Sequence, residues 1–205
     1  MSNQNPTTMK RPYHKRRRAQ LEEETRRRIT EATVDLHGSV GPAGTTISAV
    51  ADRAGVQRAT VYRHFPDEEA LFEACSSHWM ARHPLPDPAA WAAIEDPDER
   101  LRTALGELYQ WYDRSDYMLE KTTRDLALVP ALRPSMDAFR GWLDAVADSL
   151  LRGRPERGAR RRRLRAAVGH ALAYETWRSL TRHQGMSQAE TIELMEALAA
   201  AAARD

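Results

Sequence analysis

A single cysteine, Cys75, stands in a chain of 205 residues. One thiol excludes an intrachain disulfide and any thiolate-rich zinc site, and a reducing cytoplasm is its natural setting. No apolar run approaches the roughly 18 residues that suggest a membrane span. The basic N-terminus is followed by no apolar core of a leader, so no secretory signal is expected. Nowhere do apolar and polar residues alternate with period two over a useful length, and no unit repeats, so neither strands nor a solenoid is expected. Also missing are a Gly-rich phosphate loop, a Gly-x-Ser-x-Gly elbow and a His-Glu-x-x-His pair. The seven histidines are scattered without metal-ligand spacing. No metal, no cofactor and no enzyme activity are therefore expected.

The charge that is present is unevenly spread. The formal net charge is only +2. Yet Lys10, Arg11, Lys15, Arg16, Arg17 and Arg18 fall within residues 1–20 with no acid among them, and a second basic block runs from Arg152 to Arg165 with Glu156 its only acid. Local basic blocks, more than net charge, decide attraction to phosphates. Residues 1–20 carry almost no large apolar side chain and read as a flexible basic arm. The second block reads more readily as a solvated helix face.

From Leu21 onward the period is helical. Ile29, Ala32, Thr33, Leu36 and His37 share one face, and the run stops in Gly38-Ser39-Val40-Gly41-Pro42-Ala43-Gly44. Thr46 is a good N-cap for a short helix to Arg53, and Ala54-Gly55-Val56 makes a turn that calls for glycine's positive φ. A third helix covers about 57–64, and Asp67 caps a fourth through Leu71, Phe72, Cys75 and Trp79. Pro84, Pro86 and Pro88 mark a linker and a domain boundary. Beyond it the sequence predicts helices over 97–113, 115–129, 134–151 and 156–182, and a last one behind the capping box Ser187 to Glu190. The fold class is all-α with about nine helices: an arm (1–20), an N-terminal three-helix helix-turn-helix unit (21–80), and a larger helical-bundle domain (81–205).

The most informative stretch is Thr46 to Phe65. Ile47, Val50, Ala51 and Ala54 form the inner face of one short helix, and Val56, Val61 and Phe65 pack from the next. Ala51 is small where the two helices approach. Gln57, Arg58, Thr60, Tyr62, Arg63 and His64 are left outward on a helix that suits the major groove. Arg58 can fork onto guanine and Gln57 can pair with adenine. Thr60, Tyr62 and His64 can reach phosphate oxygens. Thr45 and Thr46 sit at a helix start that also favours phosphate, and Arg26 lies beside the basic arm.

At these residues the sequence resembles the TetR family of regulators. The likeness runs from about Thr25 to Cys75, through the Ala-Gly-Val turn, the Thr-Val-Tyr-Arg-His-Phe block and the Phe-Pro-x-x-x-x-Leu-Phe continuation. It implies a homodimer whose recognition helices enter successive major grooves of a palindromic operator in double-stranded DNA. It further implies a divergent C-terminal domain that binds a small-molecule effector and forms the dimer, and a bacterial, cytoplasmic, nucleoid-associated repressor. Two positions depart from the family pattern. Glu68 stands where a phosphate-contacting Lys is common and would repel a phosphate, and Gln57 replaces a capping Ser.

In the C-terminal half the candidate ligand pocket comprises Tyr109, Tyr112, Met118, Phe139, Trp142, His170, Tyr174 and Trp177. Aromatic walls with a few polar tips are what a small-molecule site needs, and His170, Tyr174 and Trp177 share a face of one helix. Ile192, Met195, Ala199 and Ala202 form the candidate dimer stripe, beside the helix from Glu156. The residues leave two other readings open: a constitutive, architectural DNA-binding protein without ligand control, and a small all-helical enzyme.

Overall fold

The computed structural model describes residues 10–204, and among them there are helices and loops but no strand. In chain order the helices are α1 (Lys10–Ser39), α2 (Ile47–Ala54), α3 (Arg58–His64), α4 (Glu68–Arg82), α5 (Pro88–Ala92), α6 (Pro97–Asp125), α7 (Arg133–Leu150), α8 (Gly158–Leu172), α9 (Tyr174–Arg178) and α10 (Gln188–Ala203). A 3-10 turn at Pro130–Leu132 precedes α7, and a π turn at Ser179–His183 follows α9. No described helix is long and apolar enough to cross a membrane.

Two apolar cores organise these helices. Ile29, Val50, Ala51, Val61, Phe65, Leu71 and Cys75 form the first, among α1–α4. Leu105, Leu108, Tyr112, Leu150, Leu164, Leu172 and Trp177 anchor the second, among α6–α10. Trp79, near the end of α4, is buried in the second core, so α4 ties one unit to the other. The tie is reinforced where α6 ends. Asp125 accepts the Ala43 amide at 2.9 Å, and Arg124 donates to Val40 O at 3.3 Å. Gly41 between them holds φ of 90°, and a Cβ there would fall 2.6 Å from the Asp125 carboxylate, so the close approach requires glycine.

Four expectations about elements need correction. Lys10 to Gln20, expected in the arm, are helical and continue α1; residues 1–9 lie outside the described residues. The stretch is rich in Arg and Lys, which propagate a helix that packing has already nucleated. Part of the proline linker is itself helical: Pro88 sits at the first turn of α5, and the Asp87 side chain caps it. The expected break at Ser115 is absent, and α6 runs unbroken past a fully buried Ser115.

The long helix expected over 156–182 instead breaks at Ala173, which is extended at φ −69°, ψ 135°. A break inside a core frees carbonyls that need donors. Tyr109 Oη donates to Ala171 O at 2.7 Å, and Tyr112 Oη donates to Leu172 O at 2.6 Å. Burial pushes both phenols well above their ordinary range, which keeps the donor protons in place. Tyr112→Phe would leave the buried Leu172 carbonyl unpaired. The expected loss is about 1–3 kcal/mol, read as a lower urea midpoint at constant slope; an unchanged midpoint would contradict this role.

Candidate functional site

The first site is the outward side of α3. Thr46 caps α2 by accepting the Ala49 amide at 3.1 Å, and Gly55 closes it in the left-handed region at φ 64°. The Gly55 amide returns to α2, and the Val56 amide reaches Ala51 O at 3.0 Å, which turns the chain sharply into α3. Val61 is the buried residue of α3. Gln57, Arg58, Tyr62 and Arg63 are exposed, Tyr62 to 50%. Gln57 makes no side-chain cap to the helix. Thr60 and His64 are half-buried, and His64 Nε2 is buried with no partner among the described residues. Burial first, then the nearby Arg63 and Arg26 charges, hold the His64 imidazole below its ordinary range.

Arg26 is placed differently from the sequence expectation. Its guanidinium donates to His64 O at 2.8 Å and lies 4.3 Å over the Phe65 ring. It therefore closes the C-terminal end of α3 instead of projecting into solvent. Arg28 does the same for α2, donating to Ala54 O and Gly55 O. Sequence reasoning missed this use of arginine; cations favouring helix C-termini were the available signal. Thr45 donates to Gly41 O at 2.8 Å and orders the loop before α2. Arg16, Arg17 and Arg18 are exposed at the α1 extension. Glu68, exposed at the start of α4, borders the same groove as Thr46, Arg58 and Tyr62.

The second site is a cavity of about 400 Å³ at the seam between the two units. Val34 and His37 of α1, Phe72, Cys75, Ser76, Trp79 and Met80 of α4, Trp111 and Met118 of α6, and Phe139 and Trp142 of α7 are among its walls. Met118, Phe139 and Trp142 thus meet where the sequence expected a pocket. Tyr109, Tyr112 and Trp177 are instead fully buried in the second core, two of them serving the break at Ala173. Tyr174 lines a separate recess of about 200 Å³. His170 is exposed, within 3.2 Å of Thr176 Oγ1. The break rotates Tyr174 and Trp177 away from the face that a straight helix would give them with His170.

His37 and Phe72 are stacked at 4.7 Å and line both the cavity and the groove along Thr46, Arg58 and Tyr62. They form the wall between the two sites. His37 is only 5% exposed, and burial holds its imidazole down to about 4.

The expected dimer stripe also turns inward. Met195 and Ala199 are buried in the chain's own second core, Ile192 packs against it, and Ala202 is half-buried. The exposed large apolar side chains of α10 are Leu194 and Leu198.

A short helix displayed by a glycine turn, on a three-helix unit fused to a larger helical body, defines a helix-turn-helix protein. Residues 29–75 match the model for bacterial regulatory proteins of the tetR family. The chain is 27% identical over 139 residues to the HTH-type transcriptional repressor KstR of Mycobacterium tuberculosis, covering 67% of this chain and 63% of that one. It is 28% identical over 113 residues to the KstR repressor of Mycolicibacterium smegmatis, covering 55% of each. The chain thus spans under two thirds of the length of these relatives. Its fold superposes on a TetR family transcription regulator from Marinobacter aquaeolei VT8 with a TM-score of 0.57, at 19% identity over 90% of this chain and 97% of that one. A TetR-like transcriptional regulator from Rhodococcus sp. RHA1 gives 0.53, at 19% identity over 85% and 93%. The N-terminal unit is thus similar to the tetR family of bacterial regulatory proteins, and the whole chain shares the fold of TetR-like regulators.

Proposed function

We propose that the chain is a transcriptional repressor that binds a palindromic operator as a homodimer and is released by a small molecule held in the seam cavity. The observation that carries the DNA-binding part is the outward face of α3, where Gln57, Arg58, Tyr62 and Arg63 project together while Val61 anchors the helix. The repressor assignment is supported by the names of the two relatives.

In this reading, release acts through geometry. Bound DNA needs recognition helices about 34–36 Å apart, one turn of the duplex. A ligand in the cavity presses on α1 and α4 from one side and on α6 and α7 from the other. The His37–Phe72 wall passes that pressure to the groove beside Arg58. The ligand acts only by binding the released arrangement more tightly than the DNA-bound one.

Selection of bound duplexes from a random library tests the reading on the full chain. Arg58→Ala should flatten preference at one base pair per half-site, a loss of about 1–3 kcal/mol of discrimination. Tyr62→Phe should weaken binding to all sequences alike, because a phosphate contact fixes position and not sequence. Wild-type affinity and preference in both variants would place the DNA-reading surface elsewhere.

A further inference from the structure

Taking the seam cavity as the ligand site proposed above, we infer that it admits an uncharged, ring-bearing molecule, and that the Ser76–Ser135 hydroxyl pair reads one neutral oxygen on it.

The walls argue for rings. Phe139 and Trp142 stack at 6.0 Å with 12° between their planes, and Trp111 continues the surface at 5.6 Å from Phe139. Flat aromatic faces reward flat ligands, while Met80, Met118 and Met136 are flexible enough to close around an irregular edge. At about 400 Å³ the cavity lies toward the lower end of the roughly 300–1,000 Å³ typical of drug-sized ligands, which suits a skeleton of two or three rings.

The walls also argue against charge. No Asp, Glu, Lys or Arg lines the cavity. Its two titratable residues are neutral near pH 7: burial holds His37 down to about 4 and pushes the Cys75 thiol up to about 12. Carboxylates elsewhere on α6 are engaged away from the cavity. Asp113 accepts from Arg182 at 2.6 Å, and Asp116 accepts from Arg182 at 3.0 Å and from Tyr174 Oη at 2.6 Å. An ionised group entering this space would lose its water and find no counter-charge, which is heavily disfavoured.

Of the polar groups in the walls, which include Ser77 and the His37 ring, the Ser76–Ser135 pair is the one that bridges the two units. Ser135 Oγ of α7 donates to Ser76 Oγ of α4 at 2.9 Å. Two hydroxyls offer two donors and several lone pairs, so the shared bond leaves a donor and acceptors for a ligand hydroxyl or carbonyl. Thr122, the other wall hydroxyl near α6, donates back to Met118 O and Leu119 O. The serine bond also joins α4 to α7 across the seam, so a ligand oxygen that exchanges with it touches both units at once.

Calorimetric titration of the full chain at pH 7 with 2-naphthylmethanol, 2-naphthoate, 2-naphthylmethylammonium and 2-methylnaphthalene tests this. The alcohol should bind at least about tenfold more tightly than either ion. Ala138→Trp, at an exposed wall position on α7, should weaken the alcohol about tenfold or more without lowering the thermal midpoint. Ser135→Ala should weaken the alcohol about two- to tenfold and leave 2-methylnaphthalene unchanged, the signature of one lost hydrogen bond. An ion that binds as tightly as the alcohol, and is displaced by Ala138→Trp, overturns the uncharged class while the cavity remains the ligand site. Equal effects of Ser135→Ala on alcohol and hydrocarbon overturn the role of the serine pair. Binding by none of the four probes, or binding untouched by Ala138→Trp, removes the ligand site itself and this inference with it.

Discussion

Glutamate at both Leu194 and Leu198 is expected to convert a dimer into a folded monomer and to weaken operator binding by about 100-fold or more. The two leucines are 42% and 38% exposed, one turn apart on α10. Ala197 and Ala201 are exposed on the same side and small enough to let a second helix approach. The neighbouring α8 exposes Arg162 and Ala166, so a two-fold axis between α8 and α10 would assemble four helices from two copies. Fully burying a leucine stabilises by about 1.5–3 kcal/mol; burying the exposed remainder of four leucines gives on the order of 2–5 kcal/mol. Four glutamates there would lose that contribution and crowd like charges around the axis. Each ~1.4 kcal/mol is a factor of ten in the dissociation constant, and a monomer presents one recognition helix where the proposed palindromic operator would offer two half-sites. Sedimentation reads the first effect, and titration of labelled duplex the second. Met195→Ala is the contrasting variant. Met195 is buried within its own chain, so its truncation should cost about 2–5 kcal/mol of folding stability and leave the association constant alone. A double variant that stays dimeric would remove α10 from the interface.

The DNA-reading half was legible in the sequence because its local signals agree with one another. Thr46 caps, Ala51 permits close approach, Gly55 supplies the positive φ and Val61 points inward; each is read from residues a few positions apart. The C-terminal half was legible in its capped helix starts, Asp96 and the Ser187–Glu190 box. It was not legible at Ala173, because Ala-Leu-Ala-Tyr-Glu-Thr-Trp carries no glycine or proline to announce a break. The break is held by hydroxyls more than 50 residues earlier, from Tyr109 and Tyr112, a tertiary compensation that no local pattern encodes. The pocket residues divided for the same reason. Periodicity finds the apolar face of α6 but not whether that face meets a neighbour or an empty space. On α10 the alanine-rich end is apolar nearly all round, so the stripe with the better period, Ile192 to Ala199, was taken by the chain's own core. Arg100 was missed altogether. It is 6% exposed, and its guanidinium donates to Ile94 O, Glu95 O and Arg152 O, closing the loops at the far end of the second core.

His37 is expected to make the protein lose about 3 kcal/mol of stability between pH 6.5 and pH 4, and His37→Phe should remove that loss. The imidazole is stacked on Phe72 inside the wall between cavity and groove, and burial holds its folded value down to about 4 from an ordinary 6.5. The Asp125 carboxylate pulls the other way, favouring the charged ring, but less strongly than burial disfavours it. Above pH 6.5 both the folded and unfolded chains carry a neutral His37, and the residue adds no pH dependence. Below 6.5 the unfolded chain takes up a proton that the folded chain refuses, so stability falls by up to about 1.4 kcal/mol per pH unit until the folded ring also titrates near 4. Carboxylates held low in the fold, among them Asp125 beside Arg124 and Asp96 at the start of α6, add their own loss on acidification. The Asp96 loss is shared by parent and variant, while Asp125 also feels the His37 charge and belongs to the His37 effect. The difference between their urea-unfolding curves over this window therefore reads His37 together with its coupling to Asp125. Phenylalanine keeps the ring stack with a somewhat larger ring beside the cavity, so at pH 7 the variant should lie within about 3 kcal/mol of the parent. Parallel curves from pH 7 to pH 4 would mean that the ring is hydrated in the fold. In that case the partition between ligand cavity and DNA groove would be wet, and a ligand could not press on Arg58 through it.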